Sequence, residues 1–209
     1  MRMKSNDLND GAAIDARFAF GRPDAEEHMA LSDNLSPHLA WDDVPDGTRS
    51  FAVLCVDPDV PGVADDVNQE GKSLPADLDR VDFYHWVMID VPANVTELTT
   101  GQCSDCVTLG GKRQPSGPAG CRQGLNNYTQ FLAGAEGMAG KYFGYDGPCP
   151  PWNDERLHHY HFTVYALDVD RLDVSGEFDG QAVVEAMQGH ILDQASMTGT
   201  YTLNPGVSA

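Results

Sequence analysis

Two aspartates stand two residues apart in the segment Asp57-Pro58-Asp59-Val60-Pro61, directly after a short apolar run. The two prolines fix φ and make the segment stiff. Two carboxylates at the end of a strand can converge on one site, where they orient a histidine, hold a cation or share a proton. The simpler interpretation is a turn in which aspartate caps free backbone N–H groups, and without further context this turn is preferred.

His85 lies near the start of a second apolar run. Strand alternation predicts that its side chain shares a face with Val87, Ile89 and Val91. A lone histidine among apolar residues is more often a hydrogen-bonded core residue than a ligand.

Three further histidines open the run Leu157–Leu167. Alternation places His158 and Tyr160 on one face of this strand, and His159 and His161 on the other. A histidine beside a phenol suits an anion such as phosphate. The His-x-His pair has the spacing of metal sites in β-barrels, but two ligands do not define a site.

Glycine, proline and cysteine mark two more segments. Tyr142–Pro151 is rich in Gly and Pro; glycine N–H groups can cradle an anion, although a stiff loop between strands is the simpler interpretation. Cys103 and Cys106 have a metal or redox spacing, with Cys121 as a third candidate ligand and no clear fourth. A redox pair usually opens a helix after a strand, whereas this pair lies in a Gly-rich stretch.

The elements that must position these residues are mostly strands. Short apolar runs separated by Pro, Gly and Asp predict an antiparallel sandwich or barrel. The predicted strands are Ile14–Phe20, Phe51–Val56, Tyr84–Val91 and His159–Leu167, with a terminal strand or extended tail over Gly199–Leu203. A helix capped by Asp179 and ended by Gly189 is predicted, with a second short helix around Ile191–Ala195. Pro61–Asp82 and Thr99–Gly124 are predicted to be loops that wall a site.

Composition excludes several classes of function. The 209 residues carry 32 acidic and 13 basic side chains, a net charge of −19, so the chain would be repelled by nucleic-acid phosphates and by anionic membranes. With 41% hydrophobic residues the chain can form a core, and its length favours a single domain over residues 1–209. The excess of Asp over Glu, with few Lys, is compatible with adaptation to concentrated salt, which screens the repulsion between acidic side chains. The alternative is an ordinary acidic protein.

The same sequence predicts a cytoplasmic protein. No run approaches the roughly 18 apolar residues of a membrane span, and no apolar segment follows the first residues as a secretory signal would require. Five cysteines cannot all pair within one chain, and a reducing compartment keeps them as thiols.

The order of the motifs resembles the phosphatidylethanolamine-binding protein family, in its bacterial and archaeal Raf-kinase-inhibitor-like branch. The motifs are Ser36-Pro37-His38-Leu39-Ala40-Trp41, Val44–Phe51, Asp57-Pro58-Asp59-Val60-Pro61, His85-Trp86, Gly147-Pro148-Cys149-Pro150-Pro151 and His158–Leu167. Gly120–Tyr128 resembles a segment of the bacterial branch. The resemblance runs from about Gly11 to Tyr201.

This resemblance implies a mostly β fold, a Greek-key β-sandwich of two antiparallel sheets with short C-terminal helices. It implies a small pocket for anions such as phosphate or phosphoethanolamine. Carried over by motif, the ligand-binding residues are Asp57, Asp59, His85, Gly147, Pro148, His158 and Tyr160. The two aspartates would hold His85 and the ligand's ammonium or hydroxyl groups, while His85 and His158 would face the anion and Gly147 would offer its N–H. The high negative charge would favour protonated histidines.

The leading hypothesis is a ligand-binding protein, not an enzyme, that regulates a partner protein such as a kinase; no cofactor or metal is expected. A hydrolase using Asp57, Asp59, His85 and His158 is the first alternative, although these motifs contain no activated Ser or Cys nucleophile. A metal-binding β-barrel using His159, His161 and the cysteines is the second. The bacterial relatives allow a homodimer, while nucleic acid and stable membrane association are not expected.

Overall fold

The chain is mostly β. The computed structural model describes residues 1–113, 115 and 117–208, and these form eleven strands and two short α-helices. The strands are β1 (Arg2–Lys4), β2 (Ala12–Ala13), β3 (Gly21–Asp24), β4 (His28–Leu31), β5 (Leu39–Asp42), β6 (Ser50–Pro61), β7 (Arg80–Pro92), β8 (Glu97–Leu98), β9 (Arg122–Gln123), β10 (His158–Leu167) and β11 (Ile191–Tyr201). The helices are α1 (Tyr128–Phe131) and α2 (Gly180–Ala186), and single 3-10 turns lie at Ala16–Phe18 and Pro118–Gly120.

The long apolar runs form the central sheet. Its six strands follow the order β2-β11-β10-β6-β7-β9, and all its pairs are antiparallel except the short β2, which pairs with β11 in parallel. A second sheet has the order β1-β5-β8, and β3 and β4 form a separate hairpin. Five of the seven predicted site residues lie on β6, β7 and β10, which are neighbours in the middle of the large sheet, whereas Gly147 and Pro148 precede β10.

The central sheet is covered on both faces. On one face the main core packs between the two sheets: Trp41 of β5 meets Phe51 of β6 edge-to-face, with ring centroids 5.2 Å apart, and Leu98 of β8 is fully buried beside them. On the other face Val183 and Met187 of the α2 region pack against buried residues of β6 and β7. The two packed sheets are the β-sandwich that the resemblance implies.

Strand alternation holds on β10 and fails on β7. On β10, His158 and Tyr160 point into the core, and His159 and His161 lie half-buried on the other face, as predicted. On β7 the predicted common face of His85, Val87, Ile89 and Val91 is wrong. Val87 and Ile89 belong to the core under α2, whereas Val91 packs in the main core.

Two register shifts in the pairing of β6 with β7 explain this difference. One lies between Phe51 and Val53 of β6, and the other lies between Cys55 and Val56. One extra residue of β7 lies between the pairs Cys55↔Trp86 and Val56↔Tyr84, and that residue is His85. A bulge leaves the extra residue unpaired and re-aims its side chain. His85 therefore faces the main core beside Tyr160, 5.1 Å between ring centroids, and the alternation predicted from the sequence loses its phase there.

Other local predictions have mixed outcomes. The helix capped by Asp179 forms as α2, because the Asp179 carboxylate accepts a hydrogen bond from the Ala182 N–H at 3.0 Å. The helix predicted around Ile191–Ala195 is wrong, because those residues begin β11 and pair with β10. The strand predicted over Ile14–Phe20 is also wrong and is largely replaced by the 3-10 turn. Among the described residues, no helix has the length and apolar character needed to cross a membrane.

Candidate functional site

A cavity of about 90 Å³ lies where β6, β7 and β10 meet the segment 149–151 and helix α1. Its lining residues are Asp57, Val60, Pro61, Ala64, Val67, Phe83, His85, Tyr128, Phe131, Cys149, Pro150, Pro151 and Tyr160. Most of these are apolar. Asp57, His85 and Tyr160 supply polar groups from three neighbouring strands, which is the composition of a small-ligand site.

The His85 ring is held in a fixed orientation. Its Nδ1 lies 2.9 Å from the backbone oxygen of Asp146, and the rings of Phe83 and Tyr128 pack against it, with centroids 4.7 Å and 5.5 Å away. His85 is only 3% exposed. Burial lowers the pKa of His85 below its ordinary value, although the nearby Asp57 carboxylate opposes the effect. The expectation that the acidic chain favours a protonated histidine therefore fails at His85.

Tyr160 lines the cavity with its side chain, but its hydroxyl oxygen is closed to solvent and has no hydrogen bond of good geometry among the residues described. Burial and the Asp57 carboxylate raise the pKa of Tyr160 well above its ordinary value, so the phenol keeps its proton. Because the hydroxyl lies close enough to Asp57 to interact with it, Tyr160 shapes the cavity wall and does not offer its hydroxyl to a ligand.

Asp57 is fixed from behind the cavity. Its Oδ1 accepts a hydrogen bond from the Asp59 N–H at 2.8 Å, which is the turn that the sequence suggested, and its Oδ2 lies 2.7 Å from His158 Nδ1. The other nitrogen of His158 lies 3.1 Å from the Asp154 carboxylate. Burial alone would lower the pKa of His158, but the two carboxylates outweigh it and raise that pKa to about 9. His158 is therefore a buried imidazolium at neutral pH.

His158 and Asp59 lie behind the cavity and do not line it, which differs from the expected roles. Asp59 binds Arg156 Nε at 2.5 Å and His159 Nδ1 at 2.8 Å. Burial alone would raise the pKa of Asp59, but these hydrogen bonds outweigh it and lower the pKa. Asp154 is held in a similar way by Arg80, with N–O distances of 2.6 and 3.0 Å. The three buried acids behind the cavity, Asp57, Asp59 and Asp154, therefore each have a cationic partner.

The buried ion pair of Asp146 with Lys112 supports His85 through the Asp146 backbone. The Asp146 carboxylate accepts hydrogen bonds from Lys112 Nζ at 2.7 Å, from Asn34 Nδ2 at 2.8 Å and from Asn126 Nδ2 at 2.8 Å. The backbone of Asp146 also pairs with His85 in both directions, since its N–H donates to the His85 oxygen at 2.9 Å. This network sets the orientation of the histidine ring.

Gly147 and Pro148 have structural contacts instead of the expected ligand contacts. The Gly147 N–H donates to Asn34 Oδ1 at 2.8 Å, so it is already used. A Cβ at Gly147 would lie 1.9 Å from the Phe18 backbone oxygen, which explains the glycine. The Pro148 oxygen accepts from the N–H groups of Phe20 and Gly21. The next residue, Cys149, lines the cavity instead.

The structure thus brings Asp57, His85 and Tyr160 together in one cavity and places the other four predicted residues around it. Sequence reasoning missed a set of supporting residues, namely Asn34, Arg80, Lys112, Asn126, Asp146, Asp154 and Arg156. Asp146 precedes Gly147 in the segment that was singled out only for its Gly and Pro content. The Gly147-Pro148 motif next to it was thus the one signal in the sequence that pointed to Asp146.

The cysteines and the outer-face histidines do not form a common metal site among the described residues. His159 binds Asp59, and His161 Nδ1 lies 2.9 Å from Thr198 Oγ1. Cys103 is buried while Cys106 is exposed, and all five cysteines are free thiols. Within the described part of the chain, no group of three or more His, Cys, Asp and Glu side chains could hold a metal ion.

Comparisons with known proteins agree with this fold. The model of the phosphatidylethanolamine-binding protein family matches residues 4–202. The chain is 36% identical over 202 residues to the UPF0098 protein YbhB of Escherichia coli, covering 97% of this chain and all of that protein. It is 30% identical over 201 residues to a UPF0098 protein of Methanothermobacter thermautotrophicus, covering 96% and 98% of the two chains.

Solved structures extend the comparison. The crystal structure of Escherichia coli YbcL, described as a new member of the mammalian PEBP family, has a TM-score of 0.67 at 27% identity and covers 96% of this chain and 97% of that one. The homologue CT736 of Chlamydia trachomatis has a TM-score of 0.62 at 25% identity, covering 96% and 95%. The sandwich and its cavity define a small-ligand-binding type of β protein. The chain belongs to the phosphatidylethanolamine-binding protein family.

Proposed function

We propose that this protein binds a small ligand through an anionic, phosphate-type group such as phosphate or phosphoethanolamine. The observation that carries the proposal is the meeting of Asp57, His85 and Tyr160 in one otherwise apolar cavity. The cavity volume of about 90 Å³ accommodates a group of a few non-hydrogen atoms, since one water molecule in the liquid occupies about 30 Å³.

The local charges support an anionic ligand despite the net charge of −19. Behind the cavity, the carboxylates of Asp57, Asp59 and Asp154 are matched by the cations His158, Arg80 and Arg156. On the other side, Lys112 neutralises Asp146. Because these acids are paired, they oppose an incoming anion much less than isolated carboxylates would.

The same geometry favours binding over hydrolysis. His158 uses both ring nitrogens in hydrogen bonds and is protonated at neutral pH, so it cannot act as a general base there. The cavity lining contains no Ser or Thr within the described residues, and its one thiol is Cys149. Burial raises the pKa of Cys149 to about 12, which leaves it a weak nucleophile.

A thermal-shift titration tests the proposal. A ligand that binds only the folded state stabilises it by about 2.7 kcal/mol at one hundred times its Kd. For a chain of this size, that corresponds to a rise in Tm of about 5–10 °C. We expect phosphate and phosphoethanolamine to raise Tm by more than chloride does at equal ionic strength, since chloride reports only the screening of self-repulsion.

Matched variants identify the site. His85→Ala removes the ring that faces the cavity, and we expect it to abolish the shift. His161→Ala removes a histidine from the opposite face of β10 and should keep the shift. If His85→Ala is folded and phosphate still raises its Tm, the anion binds elsewhere and the proposal is wrong. Regulation of a partner protein and a homodimer stay predictions of the family resemblance, and a cytoplasmic location stays a prediction from the sequence.

A further inference from the structure

The hydrogen-bonding capacity of the cavity is unusual for an anion site. A backbone oxygen can only accept hydrogen bonds, so Nδ1 of His85 must carry the hydrogen that it shares with Asp146. In the neutral ring the hydrogen is then absent from Nε2, which has no hydrogen-bond partner among the described residues. Neutral His85 therefore presents a lone pair, not a donor, to whatever enters the cavity.

The side chains around His85 do not make up the missing donors. The titratable side chains that surround it are Asp57 of β6, His158 and Tyr160 of β10, Tyr128 of α1, and Asp146 and Cys149 of the segment 146–151. Asp57 accepts a hydrogen bond from the His158 imidazolium, and the Tyr128 hydroxyl donates to the Gly147 oxygen at 2.8 Å. The Tyr160 hydroxyl oxygen is closed to solvent and lies near Asp57, so it does not supply a donor to the cavity either.

A fully deprotonated phosphate ester has only acceptor oxygens and would meet two acceptors, Asp57 and His85 Nε2, in this cavity. One additional hydrogen removes the conflict. It can sit on the ligand and be donated to Nε2, or sit on Nε2 and be donated to the ligand. In both cases the complex holds one proton more than the separate protein and dianion.

We propose that the cavity selects acid groups together with one proton, which is shared between the ligand and Nε2 of His85. The proposal rests on the proposed function, and it specifies the ligand as a protonatable acid such as a phosphate monoester. Burial lowers the pKa of His85, so the free histidine is neutral above pH 7 and the proton must be taken from solvent during binding.

Calorimetric titration with methyl phosphate tests the proposal. The second pKa of a phosphate monoester is about 6, so above pH 7 the free ligand is mainly a dianion. Titrations at pH 6, 7, 8 and 9 in two buffers of different ionisation enthalpy give the number of protons bound. We expect close to one proton per ligand at pH 8, and a loss of about tenfold in affinity for each pH unit between 7 and 9.

A glutamine at position 85 provides the matched variant. His85→Gln offers a permanent N–H donor that does not titrate, so its affinity for methyl phosphate should vary little between pH 7 and 9 and its proton uptake should fall towards zero. The tautomer is measured independently in the wild-type protein by ¹⁵N NMR. We expect Nε2 of His85 to be unprotonated at pH 8 and to shift towards its protonated position when methyl phosphate is added.

The outcomes separate this inference from the proposed function. Binding of methyl phosphate with no proton uptake, or with equal affinity at pH 7 and 9, would overturn the inference and leave an anion site. A free His85 protonated on Nε2 would also overturn it. No binding even at pH 6 would overturn the proposed function itself.

Discussion

Replacing His158 by glutamine removes a cation that the structure buries between two carboxylates. His158 is fully buried, with Asp57 2.7 Å from one ring nitrogen and Asp154 3.1 Å from the other. Glutamine can donate to one of these acids and carries no charge. Asp57 then loses the cation beside it, whereas Asp154 keeps Arg80, and breaking a buried pair in this way costs about 3–5 kcal/mol of stability.

The pH dependence of this cost follows from the raised pKa. Desolvation opposes the imidazolium, but the two carboxylates raise the pKa of His158 from 6.5 to about 9. Each pKa unit corresponds to about 1.4 kcal/mol, so the proton contributes about 3 kcal/mol to folding. Because the folded pKa is above the unfolded value, this stability is fully present below pH 6.5 and is lost as the pH rises through 9.

Urea denaturation at pH 6, 7, 8 and 9, at constant ionic strength, measures the effect. We expect the free energy of unfolding of wild type to exceed that of His158→Gln most at pH 6, and the gap to narrow by about 3 kcal/mol at pH 9. Other titrating groups cancel in this difference. Asp154→Asn keeps one carboxylate beside His158 and should show a pH dependence between those of the other two proteins.

A gap that stays constant from pH 6 to pH 9, or that widens, would refute the reasoning. Either result would mean that His158 is not a buried imidazolium held by two carboxylates. A change in the denaturant slope between the two proteins would have to be corrected first, since it reports altered compactness and not stability.

Two further predictions concern the packing at Gly147 and the exposure of the cysteines. Gly147→Ala should destabilise the fold by about 3 kcal/mol or more, because the new Cβ would meet the Phe18 backbone oxygen. Gly134 has open space around it, so Gly134→Ala should change Tm little. Equal melting temperatures of the two variants would contradict this packing. Ellman's reagent should modify one thiol rapidly in the native protein, at the exposed Cys106, and all five after unfolding. Rapid labelling that survives Cys106→Ser would show that one of the other four thiols, such as the partly exposed Cys149, is accessible.

Sequence patterns predicted the parts of the fold that depend on short-range periodicity. The alternation of β10 correctly placed His158 and Tyr160 on one face and His159 and His161 on the other, because that strand pairs without a bulge until its last residue. The α2 cap was predictable from Asp179, since its hydrogen bond spans only three residues. The strand at Ile191–Ala195 was not, because pairing with a distant strand overrides weak local preferences.

The support of the site could not be predicted from spacing. Asn34 and Asp146 are 112 residues apart in the chain, and Asp59 and Arg156 are 97 apart. The bulge that turns His85 into the cavity depends on its pairing with β6, which no window of β7 reveals. Of the seven residues that the resemblance implied, Asp57, His85 and Tyr160 line the cavity. The resemblance did not distinguish His85, which faces the cavity, from His158, which is buried behind it.

The buried ion pairs also affect how quickly a ligand arrives. Five of the thirteen Lys and Arg side chains form ion pairs with buried aspartates, namely Arg80, Lys112, Arg122, Arg156 and Arg171. The surface that an anion approaches is therefore poorer in cations than the composition suggests. Diffusing anions meet a repulsive field before they reach the neutralised cavity. Added salt screens that field, so the association rate for an anion should rise with ionic strength, the reverse of an electrostatically steered encounter.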